Sequence, residues 1–338
     1  MNQLQISLLS LCLSISILTG CSSNSINPAN QTNQEESPPP SSTQETLDIT
    51  VSILPQEYFV KKIGGDRVKV NVMVQPGDNL HLYEPKPQQL KALTEAEAYI
   101  SIGVPFEKAW MGKIEAANPQ MLIIDSAKGI ERMEMAIPHH HDGEVQDHAE
   151  ETLDPHIWLS PQLVKVQAEN IYQGLIQLDP THKAEYKENL QQFWTEIGQL
   201  DQKIRQNLAG IENRQFIVFH PAWGYFARDY NLEQIPMEVG GQEPSAAELG
   251  ELVKEAKQKG IRVIFAQPEF RTKNAQTIAQ EIGGEVVLIT PLVPDWANNL
   301  LQISQSLAGV LKQHSYQDSV VVVATIAPCQ FNQVITNG

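Results

Sequence analysis

The chain has 338 residues, 41% of them hydrophobic, and 40 acidic side chains against 24 basic ones give a formal net charge of −16. Its length and apolar content suit two folded domains at ~100–200 residues each. The acidic balance excludes the basic face that a nucleic-acid partner requires, so no nucleic acid is expected.

Leu4 to Leu18 is an apolar run interrupted by polar residues, ending in Leu18-Thr19-Gly20-Cys21. A short apolar core before a small-residue cleavage site reads as a secretory signal over 1–21, too short to span a membrane. Leu-Thr-Gly-Cys resembles the bacterial lipobox, which implies lipidation of Cys21 and a membrane anchor; a secreted protein cut near Cys21 without lipid is the alternative. No Lys or Arg precedes the run, a departure from the usual signal. Cys12 lies inside the signal, and only Cys21 and Cys329 follow, so neither a disulfide framework nor a cysteine-built zinc site is expected. Residues 22–46 are Ser, Asn, Gln, Pro and Thr with almost nothing apolar, and read as a disordered tether.

In the body, LDITVSILP (47–55) reads as a strand and EYFVKKIGG as a helix stopped at Gly64-Gly65. VKVNVMVQPG (68–77) alternates as a strand. PQQLKALTEAEA (87–98) is helical, AYISIG a strand, EKAWMGKIEAA a helix and MLIIDSA (121–127) a buried strand. Pro161 to Leu178 carries a helical apolar stripe. Thr181, a suitable N-cap, begins a second amphipathic run to Leu208; nearly 30 residues at 1.5 Å each span ~40 Å, enough to bridge two lobes. The pattern then repeats: strand 215–220, helix 244–260, strand 261–270, helix 273–284, strand 285–292 and helix 295–313. The expected fold is α/β, two lobes (47–178 and 210–338), each a mainly parallel sheet flanked by helices, joined by one long helix over 179–209.

Three separated histidines carry the functional reading: His81 in PGDNLHLYEP, His156 in DPHIWLSP and His220 in FIVFHPAWGYF. Only tertiary folding can gather them. Imidazole is the ligand of choice for zinc and its first-row neighbours. His81 and His220 both follow strands, where open α/β sheets bind ligands. His156 belongs to the first lobe or its junction with the long helix.

The segments PGxxxHxYEPxPxxxxxL, DPHxWLSP, FxVFHxAWGYFxxxY and IFAQPEFR resemble the cluster A-I (TroA/ZnuA-type) metal-binding subunits of ABC importers, in order, over residues 48–313. The resemblance implies an extracytoplasmic, lipid-anchored and monomeric binding protein, not an enzyme, that passes its cargo to an ABC permease. It implies a Zn²⁺, Mn²⁺ or Fe²⁺ ion between the lobes on His81, His156 and His220. Three imidazoles suit Zn²⁺ better than Mn²⁺, which prefers more oxygen. The family's usual fourth ligand, an Asp, falls on Thr290, and the Glu some zinc-binding relatives place before the first His falls on Leu80. A water, an anion or Asp295 is left for the fourth position, with Glu238 and Glu269 as further candidates. The segment 139–151, with His139, His140, His141 and His148, resembles the family's accessory His-rich loop; a solvated polar loop is the alternative. Trp158, Trp223 and Phe226 read as an apolar shell around the site or as core. A manganese or iron carrier, a three-His zinc hydrolase and an adhesin of the same fold are the competing readings, though no HExxH is present. The apolar run SVVVVATIA (319–327) suggests an added edge strand.

Overall fold

The computed structural model describes residues 46–80, 83–136, 153–238, 244–270 and 273–313. Cys21, the tether, His81, the 139–151 loop with its four histidines, and the tail with Cys329 lie outside the described residues.

The first lobe is a four-stranded parallel sheet of β1 (Leu47–Val51), β2 (Val68–Val72), β3 (Ala98–Ser101) and β4 (Leu122–Asp125), in the order β2-β1-β3-β4. Position in the sheet follows composition. β3 (AYIS) is buried throughout and sits centrally, whereas β2 (VKVNV), with polar residues between its valines, takes an edge. Between the strands run α1 (Leu54–Gly64), α2 (Pro87–Glu95) and α3 (Pro105–Ala117), each with proline in its first turn, where no amide hydrogen is needed. Gly64 ends α1 against Val68: a Cβ there would lie 2.3 Å from Val68 Cγ1.

Two helices follow, α4 (Pro161–Leu178) and the 25-residue α5 (Lys183–Asn207), which at 1.5 Å per residue is ~37 Å long. The expected N-cap at Thr181 is not used: Pro180–His182 forms a 3-10 turn, and α5 starts at Lys183 behind it. Asp179 secures that turn instead, its Oδ2 meeting His182 Nδ1 at 2.5 Å and Tyr186 Oη at 2.8 Å.

The second lobe repeats the first. β5 (Gln215–Val218), β6 (Glu233–Pro236), β7 (Val263–Ala266) and β8 (Glu285–Leu288) form a parallel sheet in the order β6-β5-β7-β8. It carries α6 (Gly224–Asp229), α7 (Ala246–Gln258), α8 (Lys273–Glu281) and α9 (Trp296–Gln313). Ser245 and Glu248 cap α7 reciprocally, Ser245 N donating to Glu248 Oε2 at 2.6 Å and Glu248 N to Ser245 Oγ at 3.3 Å.

One apolar core runs from the first sheet across α5 to α9 and the near face of the second sheet. At its centre Trp296 sits 5.2 Å from Phe59 and 6.4 Å from Phe193 (ring centroids), so α9 of the second lobe is wedged between α1 and α5. A second cluster, including Ile217, Phe219 and Ile264, covers the far face of the second sheet. The lobes therefore share packed surface rather than a bare linker. In both sheets the strand order reverses beside the first strand, between β1 and β3 and between β5 and β7, which marks the carboxyl ends there as the ligand crevice.

Candidate metal centre

All four strands of the second lobe lead at their carboxyl ends into polar side chains: His220 after β5, Glu238 after β6, Glu269 after β7 and Thr290 after β8. His220 is 4% exposed, and its Nδ1 is hydrogen-bonded to Glu238 Oε2. The buried amide of Gln267 clamps the same residue's main chain, accepting from His220 N at 3.3 Å and donating to His220 O at 3.0 Å. Phe270 stacks on the imidazole at 4.8 Å and 23°. Burial pulls the His220 pKa below its ordinary value, against the opposing pull of Glu238, and so favours the neutral ring that a metal needs.

His156 is built the same way. It is 1% exposed, and Asp154 Oδ1 lies 2.7 Å from its Nδ1 and accepts from its backbone N at 2.9 Å. Trp158 closes one side at 5.1 Å between ring centroids. The segment is held largely by the second lobe: Tyr225 Oη donates to Asp154 O at 2.9 Å, Trp158 Nε1 to Pro291 O at 2.9 Å, and Trp296 Nε1 to Trp158 O at 2.7 Å. Ser160, the N-cap of α4, also hydrogen-bonds Asp229. His156 thus stands at the junction, fastened to the lobe that carries His220.

The two rings meet edge to face, 5.2 Å apart with an interplanar angle of 69°. With each Nδ1–H held by a carboxylate, Nε2 is the nitrogen of each ring that can give a lone pair to a metal. This is the arrangement in which outer carboxylates fix tautomer and ring direction. The cavity beside them is lined by Asp78, Asn79, Leu80, His156, His220, Glu269, Phe270, Pro291 and Leu292. Its free space, about 10 Å³ for a water-sized sphere, fits one ion or water.

Glu269 enters this cavity with one oxygen already engaged: Oε1 accepts from Thr290 Oγ1, which itself accepts from Leu292 N at 3.1 Å. Its Oε2 is buried without a hydrogen-bond partner among the described residues, and burial raises the carboxyl's pKa.

The structure brings His156 and His220 together. His81 lies outside the described residues, although Asp78, Asn79 and Leu80, which lead to it, line the cavity. Among the described residues no group of three or more His, Cys, Asp or Glu is arranged to hold a metal. Asp295 is not among the residues lining the cavity; it stands just before α9, where its Oδ1 accepts from Asn298 N at 3.3 Å. Glu238 is hydrogen-bonded to His220 Nδ1 and is not among the residues lining the cavity. Trp223 and Phe226 pack edge to face at 6.2 Å in the core and do not line the cavity, whose apolar walls are Leu80, Phe270, Pro291 and Leu292. Sequence reasoning assigned no role to Asp154, Gln267 or Phe270. An Asp two residues before a candidate ligand was the one available signal, since that spacing lets a carboxylate reach Nδ1.

A model of the family described as zinc-uptake complex component A, periplasmic, matches residues 49–313. The chain is 29% identical over 256 residues to the high-affinity zinc uptake system protein ZnuA of Bacillus subtilis, covering 73% of this chain and 79% of that protein. A crystal structure of ZnuA superposes with a TM-score of 0.73 at 49% identity, covering 79% of this chain and 99% of the other. A ZnuA deletion mutant crystallised with zinc bound gives a TM-score of 0.72 at 49% identity, over 79% of this chain and 98% of the other. The paired imidazoles at the crevice and the matched span agree, and the chain belongs to the zinc-uptake component A family.

Proposed function

We propose that this protein captures Zn²⁺ outside the cytoplasm, in the cleft between its lobes, and hands it to the permease of an ABC importer. The ion is cargo, and the residues need only bind, orient and exclude water. His156 and His220 supply two imidazoles and His81 the third. Asp154 and Glu238 aim the two described rings, while Trp158 and Phe270 shield them. The observation that carries the reading is the meeting of His156 and His220 from distant parts of the chain, each buried and each held through Nδ1 by a carboxylate. Neutral imidazoles suit zinc, and three of them favour it over manganese. Because the His156 segment is bonded to the second lobe, that lobe offers a prepared pair and the first lobe adds His81, so loading ties the lobes together. Lipid on Cys21 would hold a monomeric receptor at the membrane beside its permease. The accessory histidines 139, 140, 141 and 148 would bind zinc weakly and exchange it fast.

Metal content of the purified protein, followed by competition between Zn²⁺ and Mn²⁺, tests the assignment. One tightly held zinc that manganese does not displace is expected; retention of manganese against zinc would overturn it. Lipidation is tested separately by the mass of the mature protein and its loss of membrane association in Cys21→Ser.

A further inference from the structure

A second cavity, an open surface groove of about 410 Å³, shares no lining residue with the one beside His156 and His220. Both lobes build it. Residues 129–133 follow β4 of the first lobe, Leu163 and Val166 lie in the first two turns of α4, and Arg228 comes from α6 of the second lobe. Met133, Leu163 and Val166 give it apolar walls. Val166 is one of three large hydrophobic side chains left exposed among the described residues.

The two arginines of the groove are both held in place. Arg132 donates to Gly103 O at 2.9 Å and to Ile102 O. Gly103 makes room for it: φ is +79° there, and a Cβ would lie 2.2 Å from Arg132 Nη2. Arg228 donates through Nε and Nη2 to Asp229 Oδ1, at 2.9 and 2.7 Å, and lies over the Tyr225 ring at 5.2 Å. Its Nη1 donates to Met133 Sδ at 3.4 Å, and a thioether is a weak acceptor. A carboxylate oxygen in its place makes a stronger, charge-assisted bond. Glu131 is the one acidic side chain of the lining, so the groove is locally cationic in a chain of net charge −16.

Immobilised guanidiniums beside apolar walls match an acidic side chain with an apolar neighbour, and little rotamer freedom is left to lose on docking. The groove does not enclose its occupant as a small-molecule pocket does, so the matching group arrives on a larger body. A segment seated there touches both lobes at once. Met133 O also accepts from Asp154 N at 2.8 Å, one hydrogen bond from the residue that orients His156. On the reading that the protein delivers zinc to an ABC permease, we infer that this groove receives an extracytoplasmic loop of that permease. An acidic residue of the loop meets Arg228 and Arg132, and an apolar neighbour packs on Leu163 and Val166.

The complete importer, purified from the source cells and reconstituted in liposomes, is given zinc-loaded protein, and ATP hydrolysis is followed against protein concentration. Wild type is compared with Val166→Glu, Arg228→Ala and Arg228→Lys, with Zn²⁺ affinity measured for each. Val166→Glu and Arg228→Ala should raise the half-maximal concentration by about tenfold or more, the effect of losing one interface anchor. Arg228→Lys, which keeps the charge, should lose less. Added salt should weaken stimulation by wild type more than stimulation by Arg228→Ala. All variants should bind Zn²⁺ as wild type does. Variants that stimulate at the wild-type concentration overturn the assignment, as do variants whose Zn²⁺ affinity falls in step with stimulation. A charge swap tests the chemistry of the partner: Arg228→Glu should be rescued by Lys in place of one acidic loop residue of the permease, and rescue by none overturns it. If wild type itself gives no zinc-dependent stimulation, the reading as an importer subunit falls and the groove with it. If wild type stimulates and the groove variants match it, only the groove assignment falls.

Discussion

Both lobes use the same strand order, and each places a glutamate near the carboxyl ends of its central strands, but the two glutamates are treated in opposite ways. In the first lobe Glu107 is 4% exposed and fully engaged: Ser52 Oγ donates to it, as do Ile102 N at 3.0 Å and Gly103 N at 2.6 Å. Ser52 is tied in turn to Tyr99 Oη at 2.6 Å, so Tyr99, Ser52 and Glu107 form one chain of hydrogen bonds. In the second lobe Glu269 has one oxygen on Thr290 and the other without a hydrogen-bond partner among the described residues, beside two imidazoles. The same topology can thus hold a carboxylate fully braced or leave one of its oxygens without a hydrogen-bond partner among the described residues. What separates the two is the hydrogen-bond account of each oxygen together with burial, Glu107 being buried and Glu269 half-buried; burial raises the pKa of both.

Mutations at the two strand-end clusters should separate accordingly. His156→Ala or His220→Ala should lower Zn²⁺ affinity by more than ~100-fold, beyond the range for outer carboxylates. Asp154→Ala and Glu238→Ala leave both ligands present but unoriented, and titration with a chromophoric competitor should show a loss of about 10- to 100-fold. Glu107→Ala should do the reverse, leaving the affinity of the folded protein intact while stranding buried donors at a cost of about 1–3 kcal/mol, read by denaturant unfolding. Gly224→Ala is subtler. A Cβ there would lie 2.7 Å from Asp154 Oδ2 and 3.2 Å from Gln234 Nε2, so it disturbs the orienting carboxylate and should cost less than about tenfold in affinity.

The pH dependence adds a sign. The buried His220 ring has its pKa lowered from 6.5, so the unfolded chain binds the proton first as pH falls. The metal-free protein therefore keeps this contribution to stability above pH 6.5 and loses it as pH drops below that value toward the lower folded pKa. Zinc binding, which requires the neutral ring, should survive at His220 to more acid pH than an exposed imidazole allows, measured by Zn²⁺ titration across pH 5 to 8.

Much of this was legible in the chain. Valine- and isoleucine-rich runs punctuated by Gly and Pro located the strands, and the repeated strand–helix alternation predicted two parallel sheets. The histidines stood out because each lay in a dense, unusual segment. What escaped were relations between segments. Nothing local tells that Asp295 caps α9, or that the DPHIWLSP segment docks on Tyr225 and Pro291 of the other lobe. The start of α5 was misplaced because Pro180 and Asp179 favour a 3-10 turn over a Thr181 cap. Glu238 and Glu269 could not be ranked from sequence, because their roles depend on which oxygen meets which neighbour across strands far apart in the chain.

The most direct test is a Zn²⁺ titration of the mature protein against a chromophoric competitor, comparing wild type with the His156→Ala/His220→Ala double variant. The account predicts one tight equivalent in wild type and its disappearance in the variant, with only weak, rapidly exchanging zinc remaining. A variant that keeps the tight equivalent at unchanged affinity would contradict it.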